Sequence, residues 1–164
     1  MRICIISGFL GSGKTTLLLS LARFFAGSGC KTAIIENEIG KVPVDSELLK
    51  SEGFTVKELF AGCICCSIRQ DLAAAVNEIK RTIKPDILLI EPTGVAAPDI
   101  VFDIITECLD IGDSAEMLLV VDYKRIGTED NPEKYLQKLP FLTRSLQVCD
   151  QLILNIPDKI DERI

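Results

Sequence analysis

Histidine is absent from this 164-residue sequence. Any metal it holds must therefore be bound by cysteine, carboxylate, hydroxyl, backbone or water. Aromatic residues make up only 5% of the chain, which leaves a core built mostly of aliphatic side chains. A positive surplus is missing too: 18 Lys and Arg stand against 24 Asp and Glu, a formal charge of −6. Such a surface has no general attraction for nucleic acid or for an anionic membrane, so neither is an expected partner, and a polyanionic ligand needs a local device to hold it. No apolar run approaches the roughly 20 residues needed to span a bilayer. The opening MRICIISGFLGSGK puts an apolar stretch behind one basic residue, but glycines follow where a small-residue cleavage site belongs. A buried first strand is the expectation. Seven cysteines, an odd number without framework spacing, point to a reducing cytoplasm and away from a disulfide scaffold.

What is present is a regular alternation. Apolar runs and helical patterns follow one another, as in βαβ units with a mostly parallel sheet. Strands are expected at Arg2 to Ser7, Lys31 to Glu36, Thr55 to Leu59, Asp86 to Glu91, Met117 to Asp122 and Leu152 to Asn155. Helices are expected at Lys14 to Ala26, Val44 to Ser51, Ser67 to Lys84, Ala97 to Leu109 and Pro132 to Cys149. The runs ILLIE and MLLVVD are continuously apolar until their last residue, as strands covered on both faces should be. With 48% hydrophobic residues and no repeat or linker, residues 1–164 read as a single domain.

GFLGSGKTT contains Gly8, Gly13, Lys14 and Thr15 in Walker A spacing, between an apolar strand and the amphipathic TLLLSLARFF. Glycines let successive backbone N–H groups turn onto phosphate oxygens, and the helix N-terminus adds positive potential. Gly8, Gly11, Ser12, Gly13, Lys14, Thr15 and Thr16 are the candidate nucleotide-binding residues. Lys14 would reach the β- and γ-phosphates, and the Thr15 hydroxyl would bind Mg²⁺. The fold expectation is therefore an α/β P-loop NTPase, a mostly parallel doubly wound sheet with helices on both faces. In EPTG, Glu91 at a strand end can hold Mg²⁺ through water, while the Gly94 N–H can meet a γ-phosphate. ENEIGKVPVD, from Glu36 to Asp45, lies where a nucleotide-sensing switch would sit.

Taken in order, GFLGSGKTTLL, ENEIG with Asp45, GCICCSIRQDL, EPTG and VVD resemble the CobW-type metallochaperone GTPases, relatives of the nickel-insertion GTPases of urease and hydrogenase maturation. The resemblance runs over nearly the whole chain. It implies GTP hydrolysis with Mg²⁺ and a transition metal, zinc or cobalt, bound by the cysteine motif. It further implies delivery to a client metalloprotein, and it allows a nucleotide-dependent homodimer. The family's guanine-reading Asn-Lys-x-Asp is altered here to Asn155-Ile156-Pro157-Asp158. A shifted register reads Asp158-Lys159-Ile160-Asp161; the first is preferred because Asn155 directly follows an apolar strand and Pro157 should not extend one. A G domain of this family would also owe a further strand and helix beyond Ile164, and many relatives add a C-terminal domain.

Cys4, Cys30, Cys108 and Cys149 each sit alone beside apolar neighbours and read as packed sulfur. Cys63, Cys65 and Cys66 differ. Three soft donors within four residues, followed at once by a helix whose N-terminus favours thiolate, suit Zn²⁺ or Co²⁺. Glu38 is the candidate fourth ligand, and Glu38 or Asp45 would position metal or water, with Asp45 also a candidate for the Mg²⁺ site. A site left partly open suits a transfer protein better than a closed one. A redox pair at Cys65–Cys66 is the lesser reading. Since no arginine finger or glutamine is placed for in-line attack, turnover should be slow and partner-dependent. The rival functions are an ATP-dependent small-molecule kinase or transferase, which would need a basic lid, and a non-catalytic nucleotide-gated module.

Overall fold

In a computed structural model, residues 1–38, 54–60, 67–92, 97–123 and 140–155 are described. They form strands β1 (Arg2–Gly8), β2 (Thr32–Glu38), β3 (Thr55–Phe60), β4 (Ile87–Glu91), β5 (Ser114–Asp122) and β6 (Gln151–Asn155). The helices are α1 (Lys14–Gly27), α2 (Ser67–Thr82), α3 (Pro98–Glu107) and α4 (Pro140–Val148). The sheet order is β3-β2-β4-β1-β5-β6, and every pairing in it is parallel.

Strand periodicity sorts the core into two layers, because alternate side chains leave opposite faces of the sheet. Ile3, Ile5, Ala33, Ile35, Leu88, Ile90 and Met117 face α2 and α3. Cys4, Ile6, Ile34, Leu89 and Val120 face α1 through Leu18 and Ala22. Leu119 and Val121, on the first face, are covered by Leu142 of α4. Helices thus lie on both faces, as the unbroken apolar strands require.

Element ends moved where pairing or capping overrides composition. β5 begins at Ser114, three residues before the apolar run, because Ser114, Ala115 and Glu116 pair with Arg2, Ile3 and Cys4 of β1. α2 stops at Thr82. The N–H groups of Ile83 and Lys84 both return to the Ile79 carbonyl, and Lys84 takes a left-handed φ of 50°, a helix-closing geometry. α3 ends at Glu107, two residues short of Leu109. α4 is described only from Pro140, so the expected start at Pro132 lies outside the described residues, as does the whole helix expected at Val44 to Ser51.

Candidate functional site

The site lies where the chain changes direction. From β1, α1 carries the chain past β4 to β2; from β4, α3 carries it past β1 to β5. β1 and β4 are neighbours, so the crevice beyond their carboxyl ends is the topological switch point at which open α/β sheets bind ligands. Gly8 closes β1, Glu91 closes β4, and α1 opens with Lys14 after a five-residue loop.

That loop is folded tightly on itself. The Ser12 N–H donates to the Phe9 carbonyl (3.1 Å) and the Leu17 N–H to the Gly13 carbonyl (3.0 Å). Gly13 sits at φ 98°, and a Cβ there would collide with the Asn155 amide; a Cβ on Gly8 would strike the Val120 carbonyl. Gly8 must be glycine because the Val120 backbone stands where a side chain would be, and Gly13 because its positive φ is strained for any residue with a Cβ.

Lys14, Thr15 and Glu91 converge on the floor of the crevice. The Lys14 ammonium donates to the Phe9 carbonyl at 3.1 Å and lies 3.7 Å from Glu91 Oε1, with side chains only 5% and 10% exposed. The Thr15 hydroxyl donates to the same Glu91 oxygen at 3.1 Å. A buried cation beside a helix N-terminus is an arrangement suited to a phosphate group. Ser12 supports the fit: it is 1% exposed, yet its Oγ has no hydrogen-bond partner, and a buried hydroxyl without one calls for an acceptor. The Thr15 hydroxyl and Glu91 carboxylate are the hard oxygen donors that Mg²⁺ requires. Thr16 occupies the exposed side of the first turn, and Gly11 is likewise exposed.

One further carboxylate belongs to this group. Glu36 stands in register with Glu91 on the adjacent strand and is 6% exposed. Ile34 and Leu89, two residues earlier on each strand, share the α1-facing core, so both glutamates project to the face where α1 begins. Sequence reading assigned the role in ENEIG to Glu38 and passed over Glu36. The missed signal is the match between ILLIE and TAIIE: each is an apolar run that ends in glutamate.

Asn155, at the end of β6, reaches the loop from the other side; its Nδ2 donates to the Ser12 carbonyl at 2.9 Å. Several expected site residues, Asp45, Cys63, Cys65, Cys66, Gly94 and Asp158, lie outside the described residues, as does the Glu38 side chain, although its backbone closes β2. Among the described residues no group of three or more Cys, Asp or Glu forms a metal site. The isolated cysteines divide: Cys4 and Cys108 are buried, whereas Cys30 and Cys149 are partly open. Burial, assisted by the Glu116 carboxylate, pushes the Cys4 thiol up to about 12, so it has little thiolate character. No helix among the described residues is long and apolar enough to cross a membrane.

Comparison with known proteins agrees with this geometry. The chain is 42% identical over 105 residues to the zinc chaperone YeiR of Escherichia coli, covering 64% of this chain and 32% of that protein. It is 34% identical over 141 residues to the zinc-regulated GTPase metalloprotein activator 1 of Dictyostelium discoideum, covering 78% of this chain and 28% of that one. The chain therefore spans less than a third of the length of these two relatives. Its fold matches the hydrogenase maturation factor HypB of Archaeoglobus fulgidus with a TM-score of 0.60 at 20% identity, over 94% of this chain and 66% of that one. The family described as "CobW/HypB/UreG, nucleotide-binding domain" matches residues 2–163, and the chain belongs to that family.

Proposed function

We propose that this chain is the nucleotide-hydrolysing part of a metal chaperone: it binds GTP at the loop before α1, hydrolyses it slowly, and couples nucleotide state to a transition metal held by Cys63, Cys65 and Cys66. The observation that carries the proposal is the convergence of Lys14, Thr15 and Glu91 at the β1–β4 switch point. Relatives named as zinc chaperones and as a zinc-regulated GTPase favour zinc as the cargo, with cobalt the alternative thiophilic ion.

Each residue has a definite task. Lys14 and the loop amides neutralise charge that grows on the γ-phosphate oxygens, a stabilisation that counts most where water is excluded. Thr15 and Glu91 would hold Mg²⁺, with Asp45 a further candidate; the ion would supply charge neutralisation for the triphosphate. Glu36 adds a second carboxylate to that wall, and the Gly94 N–H is placed by sequence to meet the γ-phosphate. Asp158 reads guanine if the Asn155 register holds. Glu38 completes the metal site with the cysteines. Residues 61–66 connect the end of β3 to the start of α2, and α2 supplies a helix N-terminus that favours thiolate. A client metalloprotein would receive the metal, a nucleotide-dependent homodimer is a fitting assembly, and a reducing cytoplasm keeps the thiols free.

The direct test is phosphate release from GTP by the parent and by the Cys63→Ser/Cys65→Ser/Cys66→Ser variant, each with and without equimolar Zn²⁺. Hydrolysis that responds to zinc in the parent and not in the variant is expected. An identical zinc response in both would remove the cysteines from the mechanism.

A further inference from the structure

We propose that Phe9 and Phe141 are positioning residues: their ring contact anchors the phosphate loop to α4 and thereby sets nucleotide affinity, although Phe141 belongs to a helix outside the loop. The inference rests on nucleotide binding at this loop and adds a determinant that the Walker A pattern does not contain.

Phe9 is the loop's apolar anchor. Its ring centroid lies 4.9 Å from that of Phe141 at a tilt of 48°, within the range at which aromatic pairs attract beyond their buried area. The ring also packs against the cluster of Leu119, Val121 and Leu142. The other apolar loop residue, Leu10, is 75% exposed, and Gly11 and Gly13 have no side chain with which to anchor anything. The backbone of Phe9 meanwhile fixes what touches phosphate. Its single carbonyl accepts both the Ser12 N–H (3.1 Å) and the Lys14 ammonium (3.1 Å). Any rotation of the peptide at residue 9 therefore moves the turn and the cation together.

The platform beneath is firm. Leu142 is 1% exposed, and the Ser145 hydroxyl, fully buried, donates to the Phe141 carbonyl at 2.8 Å. Beyond the helix, Asp150 is tied to Met117 of β5 twice, by its N–H to the Met117 carbonyl (2.9 Å) and by its carboxylate from the Met117 N–H (2.8 Å). α4 thus transmits a fixed position to Phe9, and the loop inherits it. Preorganisation of this kind raises affinity because less loop freedom is lost on binding.

The experiment is calorimetric titration of GDP into the parent, Phe9→Ala, Phe141→Ala, the double variant, Phe141→Leu and Ile79→Ala, the last a core truncation in α2 far from the loop. Each alanine variant should bind GDP about tenfold more weakly, the double variant no worse than the weaker single one, and Phe141→Leu within about threefold of the parent. Ile79→Ala should lower the melting temperature and leave GDP affinity unchanged. GDP affinity within twofold of the parent in both alanine variants, losses that multiply in the double variant, or an equal loss in Ile79→Ala would each overturn the proposal. If Phe9→Ala does not fold, Phe141→Ala alone carries the test, with the same expected tenfold loss and with GDP affinity within twofold of the parent overturning the proposal. A parent that binds no GDP defeats the nucleotide reading itself, a result distinct from any of these.

Discussion

The Asn155 side-chain amide donates to the Ser12 carbonyl at 2.9 Å, joining the end of β6 to the phosphate loop across 143 residues of sequence. The same amide occupies the space that a Cβ on Gly13 would need. With its Nδ2 engaged, Asn155 braces the loop proposed to bind nucleotide.

Asn155→Ala should therefore weaken GTP and ATP alike, by about tenfold, the scale of one lost hydrogen bond to a group left without its partner. The ratio of the two affinities should stay the same. A loss confined to GTP would mean that Asn155 reads the base and that the loop contact is incidental. Asp158→Ala, by contrast, should lower GTP affinity selectively if the preferred register holds, and Asp161→Ala should not.

Lys14→Ala should reduce GTP turnover by roughly a hundredfold or more, since removing one fixed electrostatic partner of a transition-state oxyanion has that effect. The fold should survive at a cost, because Glu91 would lose its buried cation at 3.7 Å and buried carboxylates are destabilising without a partner. Restoring neutrality with Lys14→Ala/Glu91→Gln should recover stability but not turnover. Turnover within threefold of the parent in Lys14→Ala would end the enzymatic claim.

At the opposite edge of the sheet, Lys80 of α2 binds Asp113 and Asp110, each at 2.7 Å, and the Met1 amine adds a second cation to Asp113 at 2.9 Å. Burial alone would raise the Asp113 carboxyl, but these cations and the Asp110 N–H hold it well below its ordinary value of 3.8. A depressed carboxyl contributes stability above its unfolded value and loses it as pH falls through the folded one. Asp113→Asn should thus cost about 1–3 kcal/mol at pH 7, and the gap to the parent should narrow steadily below pH 4. Denaturant melts at pH 7 and pH 3 check this; a gap of constant size would show that the charge of Asp113 is not what matters.

The sequence was most informative where one physical demand dominates. Strands buried on both faces have to be apolar throughout, so ILLIE and MLLVVD were legible as β4 and β5. The first three residues of β5 were not, because Ser114 and Glu116 look like a loop and only their pairing with β1 makes them strand. Gly8, Lys14 and Thr15 could be singled out because the Walker A pattern fixes residue types at fixed spacing, and they do meet at the carboxyl ends of β1 and β4. Glu36 was not: an acid in a polar run reads as surface charge, and its burial follows from register with Glu91, a relation between strands 55 residues apart in sequence that no local pattern carries. Phe9 escaped for the same reason, since its partner lies on α4, more than a hundred residues away in sequence.

The central claim is that nucleotide and metal bias one another within this domain. The most direct measurement is the affinity for Co²⁺, followed by thiolate charge-transfer absorption, in protein saturated with GTP plus Mg²⁺, with GDP plus Mg²⁺, or with neither. Cys63, Cys65 and Cys66 as ligands predict one ion per chain, proton release on binding, and an affinity that differs between the GTP and GDP states by about fivefold or more. Linkage requires metal to change the relative affinity for GTP and GDP by that same factor. Equal Co²⁺ affinity in all three states would contradict the account, leaving a metal site and a nucleotide site on one chain with nothing passing between them.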